Sequence, residues 1–343
     1  MRVAAAAARQ GRRRAGREGT GARRWAVAGW MLAVVGGAVA VALPWTPVDT
    51  PGWAGLAGAV TVTTMYAVGL ATRVGGHPLL VGALALVLAG AAAVSDQPLL
   101  RASAAVSTAA LGAVLGVLGT RPAVRYVSAV REVLLATIVA GIAAFAVDAY
   151  DARVAIVRAE YVVLALALAG TLSLAARLAA GLTGLGRRGV LAVVSGLAIL
   201  ALLLAYGQAL ARWGSPELVD RMHQMTGDLR MQLGAVPRPL EYLLGFPALV
   251  WGVSTRARRR QGWWGCAFGA TALALVATTL LRLRLALTVA GLGVGYALAV
   301  GLVLGFVLVA TDRFVSGTRG RRARRAEEQA AGRPEVGRFA PLL

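Results

Sequence analysis

The chain has 343 residues, of which 58% are hydrophobic and 15% are charged, and its mean hydropathy is +0.69. Soluble domains carry about 25% charged residues, so this composition excludes a water-soluble globular protein. The net charge is +21, and all 36 lysine-plus-arginine positions are arginines. They form short clusters between apolar runs rather than a stripe along one helix, which argues against a nucleic-acid partner and indicates membrane topology.

The two ends of the chain are predicted to be disordered, basic, cytoplasmic tails. Residues 1–24 and 312–343 are rich in Arg, Ala, Gly and Glu, so they lack the large apolar residues that a core requires. Their arginines are expected to lie along anionic inner-leaflet lipids, each contributing about 1 kcal/mol near the surface. The lipid bilayer is therefore the predicted partner.

Residues 25–311 are predicted to form an all-α, polytopic transmembrane helix bundle of about ten spans. A helix that crosses a hydrocarbon core of about 30 Å needs about 20 apolar residues, and ten stretches meet or approach that length. These stretches are Trp25–Leu43, Trp53–Thr72, Leu79–Val94, Ala102–Thr120, Val133–Val147, Ala155–Ala176, Val190–Leu210, Leu240–Val253, Trp263–Leu281 and Thr288–Thr311.

The connections between these spans alternate in charge. With the N-terminal tail inside, the tails and inner connections hold 27 of the 36 arginines, and the outer connections hold nine of the 15 acidic residues. Because arginine-rich connections stay in the cytoplasm, both termini are predicted to be cytoplasmic. Lysine and asparagine are absent, as is typical of GC-rich bacterial genomes, so the predicted location is the inner (plasma) membrane of a bacterial cell.

One outer connection is long enough to have its own structure. Gly214-Ser215-Pro216-Glu217 is a helix-start pattern, with an N-cap serine, proline at the first position and an acid in the first turn. Apolar residues then recur at three- and four-residue spacing, at Leu218, Met222, Met225 and Leu229. The pattern predicts an outer amphipathic helix at 216–232 that lies on the membrane surface or caps the bundle.

The best candidate binding site is a polar cluster at the outer ends of spans five and six. Its members are Asp148, Asp151, Arg158, Glu160 and Tyr161, with Tyr150 and Arg153 between them. If the sixth helix begins near Asp151, Arg158 and Glu160 lie about 10 to 14 Å along it and need partners. Asp151 and Arg158 share a face, whereas Glu160 points away, toward Arg282 or Arg284. The cluster is either a pocket for substrate or protons or an ion-pair cluster that orients two helix ends.

The same two interpretations apply to Glu132 and Glu241, at the inner end of span five and the outer end of span eight. No metal site or cofactor is predicted. His77 and His223 are predicted on opposite sides of the membrane, and Cys266 is the single cysteine, within an apolar run. Glycine pairs at four-residue spacing indicate close helix packing. They include Gly112/Gly116, Gly265/Gly269 and Gly301/Gly305.

Three classes of function remain open on the sequence. The first is a transporter or permease-like protein, because ten spans divide into two halves of five. The second is a membrane-embedded enzyme for lipid-linked or envelope substrates, with Asp49 or the Asp148/Asp151 pair as acid or base. The third is a noncatalytic scaffold subunit that docks partners through residues 216–232 and the basic tails.

Overall fold

The computed structural model describes residues 23–152, 155–178, 186–258, 262–281, 286–316 and 337–342. Over these ranges the chain is all-α, without a β-strand. In lipid a helix satisfies every backbone hydrogen bond within its own segment, which is why the apolar runs adopt this structure. The helices are α1 (Arg23–Trp45), α2 (Ala54–Val74), α3 (Pro78–Val94), α4 (Pro98–Leu118), α5 (Tyr126–Ala149), α6 (Ile156–Leu178), α7 (Gly186–Trp213), α8 (Pro216–Leu233), α9 (Phe246–Arg256, preceded by a π-helical turn at Leu240–Gly245), α10 (Gly262–Ala277) and α11 (Leu287–Ser316).

The polytopic helix bundle is confirmed, but with a smaller number of spans. Among the described residues, eight helices are long and apolar enough to cross a membrane: α1, α2, α4, α5, α6, α7, α10 and α11. The other two predicted spans, Leu79–Val94 and Leu240–Val253, also form helices, but α3 has only 17 residues and the 11 residues of α9 follow a six-residue π-helical turn. Length and composition therefore support about eight spans, not ten.

The bundle has an arginine-rich end, where the starts of α1, α5 and α10 meet the ends of α2, α4, α9 and α11. Arg73 at the end of α2 donates a hydrogen bond to the Leu118 carbonyl at the end of α4. Arg313 near the end of α11 donates to the carbonyl of Val124, which precedes α5. All of these helix ends border connections or tails that were predicted to lie on one side of the membrane.

The two shorter helices also connect the two ends of the bundle. Because α2 and α4 both finish at the arginine-rich end, α3 has to return the chain from that end to the opposite one. The π-helical turn before α9 begins beside Glu160 at the opposite end, and α9 finishes at Arg256 beside Thr120. Both helices therefore carry the chain from one end of the bundle to the other, although neither meets the length of a membrane span.

Helix α10 is the centre of the bundle, and every residue from Gly262 to Ala277 is buried. Glycines allow its close approach to α9. A Cβ atom at Gly252 would lie 2.3 Å from the Cys266 backbone nitrogen, and one at Gly269 would lie 2.7 Å from Leu249. The predicted glycine pairs lie at such contacts: Gly112/Gly116 in α4 face α5 and α10, Gly265/Gly269 in α10 face α9, and Gly301/Gly305 in α11 face α9.

At the periphery, α7 and α8 contrast with this centre. Only 6% of the apolar window Val193–Leu210 in α7 is buried inside the protein. The predicted amphipathic helix forms as α8 and ends at Gly234, whose φ of 76° suits glycine. Met225 and Leu229 on its apolar side are exposed, whereas the side chains of Leu218 and His223 lie outside the described part. These surfaces are available to lipid or to another protein.

Candidate functional site

The first two residues of the predicted cluster lie together at the C-terminal end of α5. The Asp148 carboxylate interacts with the Trp45 side chain and with the carboxylate of Asp151. Asp151 is exposed and has a left-handed backbone with φ of 46°, a conformation more often adopted by Gly, Asn or Asp. Arg153 lies outside the described residues. This pair therefore occupies the turn after α5.

The other three residues lie at the start of α6, which begins later than the sequence indicated. Since the helix starts at Ile156 rather than near Asp151, Arg158 and Glu160 lie only about 3 and 6 Å along it. The expected depth of 10 to 14 Å was wrong, and Arg158 is accordingly exposed. Tyr161 is also exposed, and its hydroxyl accepts a hydrogen bond from the Gln208 side chain at 3.1 Å.

Glu160 alone among the five enters a buried charged group with residues from another part of the chain. Its carboxylate lies 3.6 Å from Arg238 Nη1, which also lies 3.8 Å from the Glu241 carboxylate. The same nitrogen donates to the Leu275 carbonyl in α10 at 3.1 Å. Arg238 is a partner that the sequence analysis missed, and Arg282 and Arg284, which it named, lie outside the described residues. We call Glu160, Arg238 and Glu241 the carboxylate pair site.

This site lies where two helices depart from regular α geometry. Pro247 has no backbone N–H and cannot bond to the carbonyl of Leu243, which breaks the α pattern at the start of α9. The preceding turn, Leu240–Gly245, is π-helical and carries Glu241, while α10 gives way to a 3-10 turn at Thr279–Leu281. Single π-helical turns are frequent at functional sites.

A small cavity opens beside the carboxylate pair site. Its volume is about 90 Å³, which is room for a few water molecules. Arg238 and Glu241 contribute charged groups to its wall, and Arg230 from α8 contributes one at its exposed edge. The described residues of the lining are Arg230, Ala235, Val236, Arg238, Glu241, Thr279, Val289, Ala290, Gly293 and Val294. The cavity therefore lies among α8, α9, α10 and α11.

Glu132, the second carboxylate singled out from the sequence, is held at the arginine-rich end. It is 1% exposed, and its oxygens accept two bonds from Arg338 at 2.8 and 2.7 Å. Arg131 donates a further bond at 3.2 Å, and the backbone N–H of Arg121 donates one at 2.9 Å. Three donor nitrogens thus make four hydrogen bonds to this carboxylate, so its arrangement matches an ion-pair cluster that joins chain segments.

Two further arginines are buried at this end, and both lie just beyond the end of a span predicted from the sequence. Arg73 is 2% exposed and donates to the carbonyls of Leu118, Gly337 and Ala340 at 2.8 to 2.9 Å. Arg256 donates to the Thr120 carbonyl at 2.7 Å and lies 3.7 Å above the Trp263 ring. Burial between helix ends was not visible in the sequence, because these residues also satisfy the positive-inside pattern.

Residues 337–342, within the predicted C-terminal tail, form a turn against the same end of the bundle. Phe339 packs edge-on against Trp30 of α1, with ring centroids 5.5 Å apart, and its carbonyl accepts a bond from Arg23. The Leu342 N–H donates to the Arg73 carbonyl. This short segment, which we call the C-terminal clasp, is tied to α1, α2 and α5. The division of the chain into tails and bundle stays a prediction.

Other candidate residues are more isolated. Asp49 is exposed in the connection after α1, and His77 is exposed just before α3. No group of three potential metal ligands occurs in the described ranges. No protein-family model matches the chain, and the comparisons with curated proteins and with solved structures also found no match. Functional inference therefore rests on the geometry of the two charged ends.

Proposed function

We propose that the protein is a permease-like transporter of a bacterial plasma membrane, and that the carboxylate pair site binds its coupling proton or small cation. The observation that carries the proposal is the sharing of one arginine by two carboxylates beside a cavity. The cavity that Arg238 and Glu241 border gives a proton or a small cation access to this charged group. Ionisable groups between membrane helices are expensive to bury and serve function by default.

The backbone around the site supports the same proposal. Binding sites of many transporters occur where membrane helices are interrupted, since the irregular turns can rearrange without separating whole helices. Here the π-helical turn carries Glu241 itself, and the 3-10 turn after α10 contributes Thr279 to the cavity wall.

The test is a charge-displacement measurement, which needs no knowledge of the transported substrate. Proteoliposomes on a solid-supported membrane are exposed to a pH jump from 8 to 6 and, separately, to a sodium jump at constant pH. We expect a transient current from at least one jump, and we expect its loss in the Glu160→Gln/Glu241→Gln variant. The Asp49→Asn variant is the matched control, because Asp49 is an exposed carboxylate in a connecting loop. Equal currents from wild type and the double variant would overturn the proposal.

A second candidate function rests on the exposed helix α8. Met225 and Met231 are 64% and 83% exposed on a helix that is otherwise rich in polar residues, which is the arrangement of a docking surface. Under this hypothesis the protein is a noncatalytic subunit of a membrane complex. A stoichiometric partner that co-purifies with the wild type and is lost on Met225→Glu would favour it. A jump current that depends on Glu241 would favour the transporter.

A further inference from the structure

A second cavity lies at the arginine-rich end, remote from the carboxylate pair site. Its volume is about 540 Å³, and it opens widely to the surface. Among the residues that the structure describes, the wall combines four arginines with two apolar side chains and contains no carboxylate. Its lining residues are Arg23, Arg24, Val27, Arg121, Gly337, Arg338 and Phe339. The walls are thus supplied by the start of α1, the connection after α4 and the C-terminal clasp.

Four guanidinium groups around one cavity favour an anion with several oxygens. Arginine presents planar, forked donors that match phosphate oxygens in pairs. Arg338 is partly neutralised by Glu132, while Arg23 donates to the Phe339 carbonyl, and both contacts fix the clasp side of the wall. Arg24 and Arg121 face the cavity from the other elements. The cavity therefore has the charge and the donor geometry of a phosphate site.

The apolar part of the wall and its place along α1 identify the kind of phosphate ligand. Val27 lies one helical turn beyond Arg23 and Arg24, so the charged and apolar walls are stacked along a membrane-crossing helix. Trp25, 80% exposed beside them, is the type of residue that resides at headgroup level. Farther along α1, Leu32, Val35 and Val39 are exposed and continue the apolar surface into the membrane.

We propose that this cavity binds the headgroup of an anionic phospholipid, whose acyl chains run along the exposed apolar face of α1. The phosphate occupies the space among Arg24, Arg121, Arg23 and Arg338, while Val27 and Phe339 contact the start of the acyl chains. Because the clasp supplies one wall, bound lipid joins the N-terminal helix to the C-terminal segment. This site is independent of the proposed transport function, since none of its residues belongs to the carboxylate pair site.

The experiment measures lipid retention by the full-length chain. Protein delipidated in a neutral detergent is titrated with phosphatidylglycerol or phosphatidylcholine, and native mass spectrometry counts the lipids that remain bound. The test variant is Arg24→Gln/Arg121→Gln, which removes two cavity arginines but leaves both clasp contacts of Arg23 and Arg338. The control is Arg125→Gln/Arg258→Gln, which removes the same charge from the same end without touching the cavity lining.

We expect the wild type and the control to retain one phosphatidylglycerol per protein molecule when the lipid is in low molar excess. We expect the fraction of protein with bound phosphatidylglycerol to be at least fivefold lower in the test variant. Phosphatidylcholine should bind at least fivefold less than phosphatidylglycerol to the wild type. The inference is overturned if both double variants lose occupancy equally, because diffuse charge then explains binding. It is also overturned if neither variant loses occupancy, if phosphatidylcholine binds equally well, or if millimolar inorganic phosphate alone displaces the lipid completely.

Discussion

The two ends of the bundle each bury acidic side chains, yet they do so in different ways. At the arginine-rich end, the single carboxylate of Glu132 accepts four hydrogen bonds at 2.7 to 3.2 Å. At the opposite end, the carboxylates of Glu160 and Glu241 share Arg238 at 3.6 and 3.8 Å beside a cavity of about 90 Å³. The first arrangement consists of short hydrogen bonds, whereas the second has longer charge separations and borders a cavity.

The comparison shows how burial of charge can serve either stability or binding. A carboxylate surrounded by short, charge-assisted hydrogen bonds has no capacity for a further ligand, and its replacement leaves the donors without an acceptor. Replacing a carboxylate that lies farther from its arginine lowers the free energy of unfolding less. Such a carboxylate can still accept a proton or a cation. Stability and function are therefore expected to separate between the two ends.

The largest effect is expected at Glu132. In the Glu132→Gln variant an amide N–H₂ faces the guanidinium and backbone donors, so we expect a loss of about 3 kcal/mol in the free energy of unfolding. Thermal unfolding of the detergent-solubilised protein measures it. Glu217→Gln, on the exposed start of α8, is the control and should leave the melting temperature unchanged. An unchanged melting temperature for Glu132→Gln would show that the hydrogen bonds to Glu132 do not stabilise the fold.

A somewhat smaller effect is expected at Arg73. Arg73→Gln removes charge-assisted hydrogen bonds to three backbone carbonyls, two of which belong to the C-terminal clasp. We therefore expect the free energy of unfolding to fall by about 2 kcal/mol. Hydrogen exchange at residues 337–342 should accelerate at the same time, because the lost side-chain bonds to Gly337 and Ala340 hold this segment in place. Protection of the clasp as strong as in the wild type would contradict its attachment through Arg73.

At the opposite end, Glu241→Gln should change the free energy of unfolding by only about 1 kcal/mol or less, since Arg238 Nη1 lies 3.8 Å from the Glu241 carboxylate, beyond hydrogen-bond distance. The same variant should abolish the pH- or sodium-jump current. Thermal unfolding and charge displacement measured on one preparation separate the two effects. If Glu241→Gln lowers the melting temperature as much as Glu132→Gln does, both ends stabilise the fold and the proposed difference between them is contradicted.

The smallest effect is expected at Arg158. Its side chain is exposed at the start of α6, so Arg158→Gln should alter the free energy of unfolding by less than about 0.5 kcal/mol. The jump current should be retained. A lost current would return Arg158 to the binding site that the sequence analysis proposed, with Glu160 as its neighbour.

Helix positions were largely predictable, because each membrane helix carries its own apolar signal. The first and last spans agree with α1 and α11, and the amphipathic helix predicted at 216–232 forms as Pro216–Leu233. Local irregularities were less predictable. The late start of α6 and the π-helical turn before α9 depend on backbone geometry around Asp151 and Pro247 rather than on hydropathy.

The acidic residues of the candidate sites could be predicted from the sequence, but their arginine partners could not. Glu132, Glu160 and Glu241 stand out in the sequence, because acidic groups at the edges of apolar runs require compensation. Arg238 and Arg338, which provide it, look like ordinary loop and tail arginines in the sequence. Arg338 lies 206 positions from Glu132, and no periodicity relates two residues at that separation.

The amino-acid sequence by itself determined that lipid surrounds the apolar runs of this protein and that these runs are helical. An apolar run in lipid satisfies its backbone hydrogen bonds only as a helix. The tertiary structure decided which charges meet. The Glu160–Arg238 and Glu132–Arg338 pairs join groups that are distant in the sequence, and only the packing of the helices sets those distances. Packing likewise made α10 the centre and left α7 at the surface, although both are comparably apolar runs.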